Sequence, residues 1–225
     1  MPAPASDIMP SEPVADRRPI VFDLDGVLID SEDLAWEAWR RVLAGYAIAL
    51  TDTDIAELTG RTEHEAHAHF ANRGRLPEFS EFWKDIAEAT YALFDERLEA
   101  YDDAIDALEF LLRRGHRIAL ASSSPRERVD RSLGAVGLAG RFHFVVAGDE
   151  VGVGKPDPEI FRTAAAGLGV DAGACVAVED APSGIQAAKA AGMRVVAVER
   201  GLFPRHDLLE ADVVVPRLIP AVFLE

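Results

Sequence analysis

Apolar residues arrive along this chain in two rhythms. Residues 19–23 (PIVFD) form a short uninterrupted apolar run closed by an aspartate and followed by Gly26, which predicts a buried strand. Trp36, Trp39, Val42 and Leu43 then recur at helical spacing on one face, and further helical patterns follow at 52–58, 62–74 and 79–97. Thr-Asp, Gly60 and Arg-Leu-Pro separate them, and no strand pattern interrupts the stretch from about 33 to 98. From residue 100 the rhythm changes. Apolar runs at 117–123, 142–148, 174–180 and 194–199 alternate with helical stretches at 102–114, 125–136, 157–167 and 183–191, and DVVV at 212–215 adds an edge strand. Short apolar runs without polar alternation, separated by helices, predict a parallel sheet covered on both faces. The expected fold is therefore α/β, a doubly wound, Rossmann-like parallel sheet core with an inserted all-helical cap domain. The core is assigned to 18–32 and 99–225, the cap to 33–98, and the proline-rich stretch 1–17 is expected to be a flexible leader.

Composition narrows the partners. The 225 residues include 39 acidic and 23 basic side chains, a net charge of −16, which argues against nucleic-acid or anionic-membrane binding. A hydrophobic share of 49% is ample for a packed core. The single cysteine, Cys175, excludes an intramolecular disulfide framework and fits a reducing cytoplasm, the expected location. No apolar stretch approaches the roughly 20 residues of a membrane span, and the leader lacks the charged and apolar regions of a signal peptide. A monomer is the default expectation.

Ligands of open parallel sheets bind at the carboxyl ends of the strands. Here the first strand ends on Asp23 with Asp25 two residues later, the second on Ser122-Ser123-Ser124 and the fourth on Glu179-Asp180, while Lys155 lies in the loop after the third. Neighbouring carboxylates repel and call for a cation or a proton between them. Mg²⁺ suits a few carboxylates together with phosphate and water. Lys155 would add a point charge for an anionic group and Ser122 a neutral donor. A cation, a lysine, a hydroxyl and a spare carboxylate make up a phosphoryl-transfer site.

FDLDGVLIDSE (22–32), ALASSS (119–124), GKPDPEIF (154–161) and VEDAPSGIQAAKAAG (178–192) resemble, in order, the four motifs of the haloacid dehalogenase superfamily, most closely its β-phosphoglucomutase-like phosphatases. The resemblance covers about residues 19–215 and implies a helical cap after the first motif. It also implies roles. Asp23 would be the nucleophile that carries an aspartyl-phosphate, and Asp25 the acid that protonates the leaving alcohol and then activates water. Asp25 would therefore have a raised pKa, while Asp23 stays ionised on the metal. Ser122 would bond the transferring phosphoryl group, and Lys155 would neutralise it together with Asp23. Mg²⁺ would be held by Asp23, the backbone carbonyl of Asp25 and Asp180, with Glu179 binding directly or through water. Asp25 argues against the superfamily's dehalogenases and phosphonatases, which lack that second aspartate.

Hydrolysis of a small phosphorylated metabolite, such as a sugar phosphate, is the function this implies. A sugar-phosphate mutase is the alternative, weakened because Ala35 stands where the mutase has a histidine and Glu63 where it has a phosphate-gripping arginine. A non-catalytic phosphometabolite-binding protein is the second alternative. Gly60 and Arg61 are the candidate specificity residues in the cap, alongside Ser123 as a substrate contact, although Gly60 also reads as a helix cap and Arg61 as a solvated charge. Ser123 and Ser124 also read as caps for the following helix, and Arg126 as surface. EHEAHAHF (63–70) lacks zinc spacing, so its histidines are read as ordinary residues of the cap surface.

Overall fold

The computed structural model describes residues 17–223, so all but the last residue of the expected leader lies outside them. β1 (Ile20–Phe22) pairs with β4 (Ile118–Ala121) on one side and β6 (Val176–Glu179) on the other. β5 (Phe144–Val146) continues beyond β4, while β7 (Arg194–Val198) and β8 (Val213–Val215) continue beyond β6, all parallel. The order β5-β4-β1-β6-β7-β8 means that the chain builds outward from β1 in one direction, then returns and builds outward in the other. The reversal opens a crevice at the carboxyl end of β1.

Alternation along β1 divides the interior. Ile20 and Phe22 face one hydrophobic cluster, covered by α5 (Asp102–Arg113) and α6 (Arg126–Ala135). Val21 faces the other, covered by α7 (Glu159–Gly167) and α8 (Pro182–Ala190). Burial on both faces explains the lack of polar alternation in the strands. Each fully buried large apolar side chain contributes about 1.5–3 kcal/mol.

The helices α1 (Glu32–Gly45), α2 (Asp52–Leu58), α3 (Glu63–Ala71) and α4 (Phe79–Arg97) intervene between two short antiparallel strands, β2 (Ile29–Asp30) and β3 (Glu99–Ala100). These strands are two residues each, too short to show a period in sequence. The helices pack a cluster of their own around Trp39, Leu43, Phe70, Phe82 and Ile86. Leu34, Ala38, Leu93 and Phe94 instead join the cluster of the sheet, which ties α1 and α4 to the core.

Capping boxes on Thr51 and Thr62 start α2 and α3. The third helix of this group ends at Ala71, short of the expected 74, and beyond it the Arg73 side chain bonds Asp54 in α2. That buried aspartate also accepts from Thr51 and His69, and Arg73 first, then Thr51 and His69, hold its carboxyl well below the usual range. The histidines are more than surface residues: His64 stacks on Phe79, and His67 bonds the Pro77 carbonyl at 3.0 Å.

One ion pair anchors the loop that leaves β1. Arg200, just after β7, grips Asp103 at 3.0 and 3.1 Å and donates to the carbonyls of Gly26 and Val27. Asp103 also accepts the Leu218 N–H at 2.7 Å, so this pair ties the loop, α5 and the C-terminal segment together. Both side chains are nearly buried. Asp103→Ala would strand the Arg200 charge and is expected to lower stability by about 3–5 kcal/mol in urea denaturation. A loss under about 1 kcal/mol would show that the clamp is dispensable.

Candidate active site

A cavity of about 520 Å³ lies at the carboxyl end of β1, and Asp23, Asp25, Ser123, Lys155, Glu179 and Asp180 are among the residues on its wall. Asp23 follows β1 directly and is nearly buried. The Lys155 ammonium donates to Asp23 Oδ1 and to Glu179 Oε1, both at 2.6 Å, and to the Ala121 carbonyl at 3.2 Å. One buried lysine thus joins the ends of β1, β4 and β6. Burial alone would lower its pKa, but Asp23 and Glu179 raise it above its ordinary value. It is held as a cation.

Glycines make the close packing possible. Gly26 adopts φ +73°, and a Cβ there would come within 2.0 Å of Asp180 Oδ2. At Gly184, in the first turn of α8, a Cβ would meet Glu179 Oε1 at 1.9 Å. Only glycine lets the loop and the helix approach these carboxylates.

Asp23, Glu179 and Asp180 can each offer one oxygen within 4.8 Å of the others. Burial pushes Asp23 up to about 7, with Lys155 pulling it down and Glu179 and Asp25 adding to the rise. Asp180 is driven well above the ordinary carboxylate range by burial and then by Glu179 and Asp23. Buried oxygens that resist ionising together suit a hard divalent cation, which takes oxygen ligands and favours their charged form. The donor set fits Mg²⁺.

Asp25 departs from the expectation. Its pKa is lowered, not raised: burial would raise it, but the Arg128 charge and bonds from Ser31, Ser124 and Arg128 outweigh burial. Ser31 Oγ donates to Oδ1 at 2.6 Å, Arg128 Nη2 donates to the same oxygen at 2.9 Å, and Ser124 Oγ donates to Oδ2 at 2.9 Å. Asp23 is expected to be ionised on a bound metal; without one, burial raises its pKa. Asp25 is thus tuned in the opposite sense to the one expected.

The serines divide their roles. Ser122 is fully buried, and its hydroxyl oxygen accepts the Ser124 N–H at 3.1 Å. Ser123 lies on the wall of the main cavity, and Ser124 bonds Asp25. Neither caps α6, whose N-cap is Pro125. Gly60 and Arg61 lie apart from Asp23, on a second cavity of about 170 Å³. Gly60 follows α2 at φ +78°, and Arg61 Nε donates to the Glu57 carbonyl at 2.8 Å. Arg126 pins the turn after β5 through Glu150 and Asp149, and takes no part in either cavity.

Sequence reading missed Ser31, Glu32, Arg128 and Arg200. Ser31 lay within the first motif, and Ser124 in the serine triplet. Arg128 and Arg200 offered no local signal, because folding brings them to Asp25 and Gly26 from 103 and 174 residues away.

The family of haloacid dehalogenase-like hydrolases matches residues 20–198, and the chain belongs to that family. It is 35% identical over 197 residues to a phosphorylated carbohydrates phosphatase of Thermotoga maritima, covering 87% of this chain and 91% of that protein. A β-phosphoglucomutase of Bacillus subtilis is 32% identical over 213 residues, covering 88% of each. The solved structure of CbbY from Rhodobacter sphaeroides in complex with phosphate superposes with a TM-score of 0.79, at 26% identity, over 92% of this chain and 95% of that one. The expected α/β fold and β-phosphoglucomutase-like kinship hold.

Two outcomes test the metal site. Below about pH 7 the proton on Asp23 competes with a cation. Mg²⁺ affinity measured by isothermal titration should therefore rise about tenfold from pH 6 to pH 8, with proton release on binding at the lower pH. Equal affinities at both would contradict the assignment. Gly184→Ala, which drives a methyl into Glu179, should weaken Mg²⁺ binding by roughly 10- to 100-fold. Unchanged binding would place Glu179 outside the metal's surroundings.

Proposed function

We propose that this hydrolase is a Mg²⁺-dependent phosphatase that removes phosphate from a small phosphorylated carbohydrate through an aspartyl-phosphate on Asp23. One observation carries the reading: Asp23 stands at the switch point of the sheet, 2.6 Å from a lysine buried between it and Glu179, with a second aspartate two residues on. The Thermotoga relative's name supports the substrate class.

In this reading an Asp23 oxygen attacks phosphorus as the bond to the leaving oxygen breaks. Asp25 gives that oxygen its proton, which requires the carboxyl to be released from Arg128 and protonated first. Asp25 then takes a proton from the water that attacks the phosphoryl group, so phosphate leaves and Asp23 is restored. Lys155 holds Asp23 in place and offers charge to the phosphoryl oxygens, while Ser123, on the cavity wall, supplies a neutral donor. Asp23, the Asp25 carbonyl, Glu179 and Asp180 would hold Mg²⁺, which when bound supplies positive charge against the phosphoryl oxygens.

The helical segment 33–98 acts as the cap in this account. Its loop reaches the core: a Cβ on Gly60 would lie 3.3 Å from the ring of Phe203, which stands on the wall of the main cavity. Among the described residues no helix is long and apolar enough to cross a membrane.

The Bacillus relative keeps a sugar-phosphate mutase as the second reading. Ala35 and Glu63, the positions that weaken it, both lie on the second cavity. Phosphate release from a panel of sugar monophosphates with Mg²⁺ tests the proposal. Asp23→Asn should abolish release, and Asp25→Asn should slow it roughly 10²- to 10⁴-fold. Full release by Asp23→Asn would overturn the nucleophile assignment. Isomerised sugar phosphate accumulating faster than free phosphate, given a bisphosphate primer, would favour the mutase.

A further inference from the structure

The second cavity lies between the starts of α1 and α3 and the side of α4, and it has its own chemistry. Its volume is about 170 Å³. Its walls combine indole surface with a few polar groups. Trp36 and Trp83, both half-buried, supply the apolar area, and Glu32, Arg61 and Arg128 the polar edge.

The aromatic side chains are held in place by neighbours. Trp36 Nε1 donates to Glu32 Oε1 at 2.8 Å, and the Trp83 ring stacks on Phe79 with centroids 5.9 Å apart. Glu32 Oε2 has no protein partner among the described residues, and Arg128 uses Nη2 on Asp25 while its Nε is buried without a partner.

This cavity also communicates with the candidate chemistry. Glu32 lies on the walls of both cavities, and Arg128 reaches from the second to Asp25 at 2.9 Å. An ester whose phosphate sits by Asp23 would extend its alcohol past Asp25 toward Trp36 and Trp83.

Resting on the phosphatase reading, we infer that this cavity receives the leaving alcohol and selects one in closed-ring form, a sugar or cyclitol, over an open-chain polyol. The C–H face of a ring covers an indole at little entropic cost, while its hydroxyls meet Glu32 and Arg128. An open chain must first be ordered to make the same contacts. Trp36 and Trp83 are then specificity residues, and Gly60 and Arg61 form the rim beside them.

The test uses tryptophan emission from the full chain carrying Asp23→Asn, with Mg²⁺ present. The probes are glucose 6-phosphate and myo-inositol 1-phosphate as rings, sorbitol 6-phosphate and glycerol 1-phosphate as chains, and inorganic phosphate. At least one ring should quench emission and bind about tenfold tighter than either chain, the scale of one aromatic contact. Adding Trp83→Ala should bring that ratio toward one, and Trp83→Phe should keep most of it. Equal binding of rings and chains, or a ratio unmoved by Trp83→Ala, overturns the inference.

The same ratio is read from kcat/KM in the chain with Asp23 intact. Release of phosphate from none of the esters would sink the phosphatase reading, while the emission ratio still decides what the cavity holds. Release from rings and chains alike would sink only the inference.

Discussion

The structure depends on one buried contact, Lys155 lying between Asp23 and Glu179. Three carboxylates at the ends of two adjacent strands would repel each other in a dry crevice, and a lone buried lysine would be as costly. Together they are tolerable, though not neutral: Asp23 and Asp180 remain hard to ionise. On the proposed reading a divalent cation would relieve that cost. The sheet order matters because it brings β1 and β6 side by side with the loop after β5 above them.

The surrounding structure protects that contact. Gly26 and Gly184 let backbone approach Asp180 and Glu179 where a side chain would collide. Arg200 and Asp103 hold the turn at Gly26 and Val27, just after Asp25. Arg128 extends the network outward: it holds Asp25, and its guanidinium lies 5.2 Å from the ring of Phe94 in α4. Its neighbour on α6, Arg131, bonds Asp95 and lies over Tyr91 on that same helix. The helices inserted after β2 are thus fastened to the helix that follows the serine loop, so their position and that of Asp25 are physically linked.

The sheet was legible because its strands are buried on both faces, so Val21 and Phe22 are apolar although they point to opposite clusters. The two-residue strands β2 and β3 were not, since two residues carry no period. Asp23, Asp25, Lys155, Glu179 and Asp180 stood out because strand ends are few and each bore a charge. Arg128 was invisible for the opposite reason: an arginine on a helix reads as solvated until topology places Asp25 beside it. The same omission explains the reversed tuning of Asp25, whose cation and two hydroxyl donors come from residues distant in sequence or read as caps.

The account stands on Asp23 forming a covalent bond to phosphorus. Turnover of a sugar monophosphate with Mg²⁺, quenched in acid within the first cycle and digested for peptide mass analysis, reads that bond directly. A phosphoryl group on the peptide that carries Asp23, gone once substrate is consumed, is the predicted result. Steady release of phosphate with no phosphorylated peptide at any quench time, and with Asp25→Asn failing to accumulate one, would mean that water attacks the ester directly and would contradict the account.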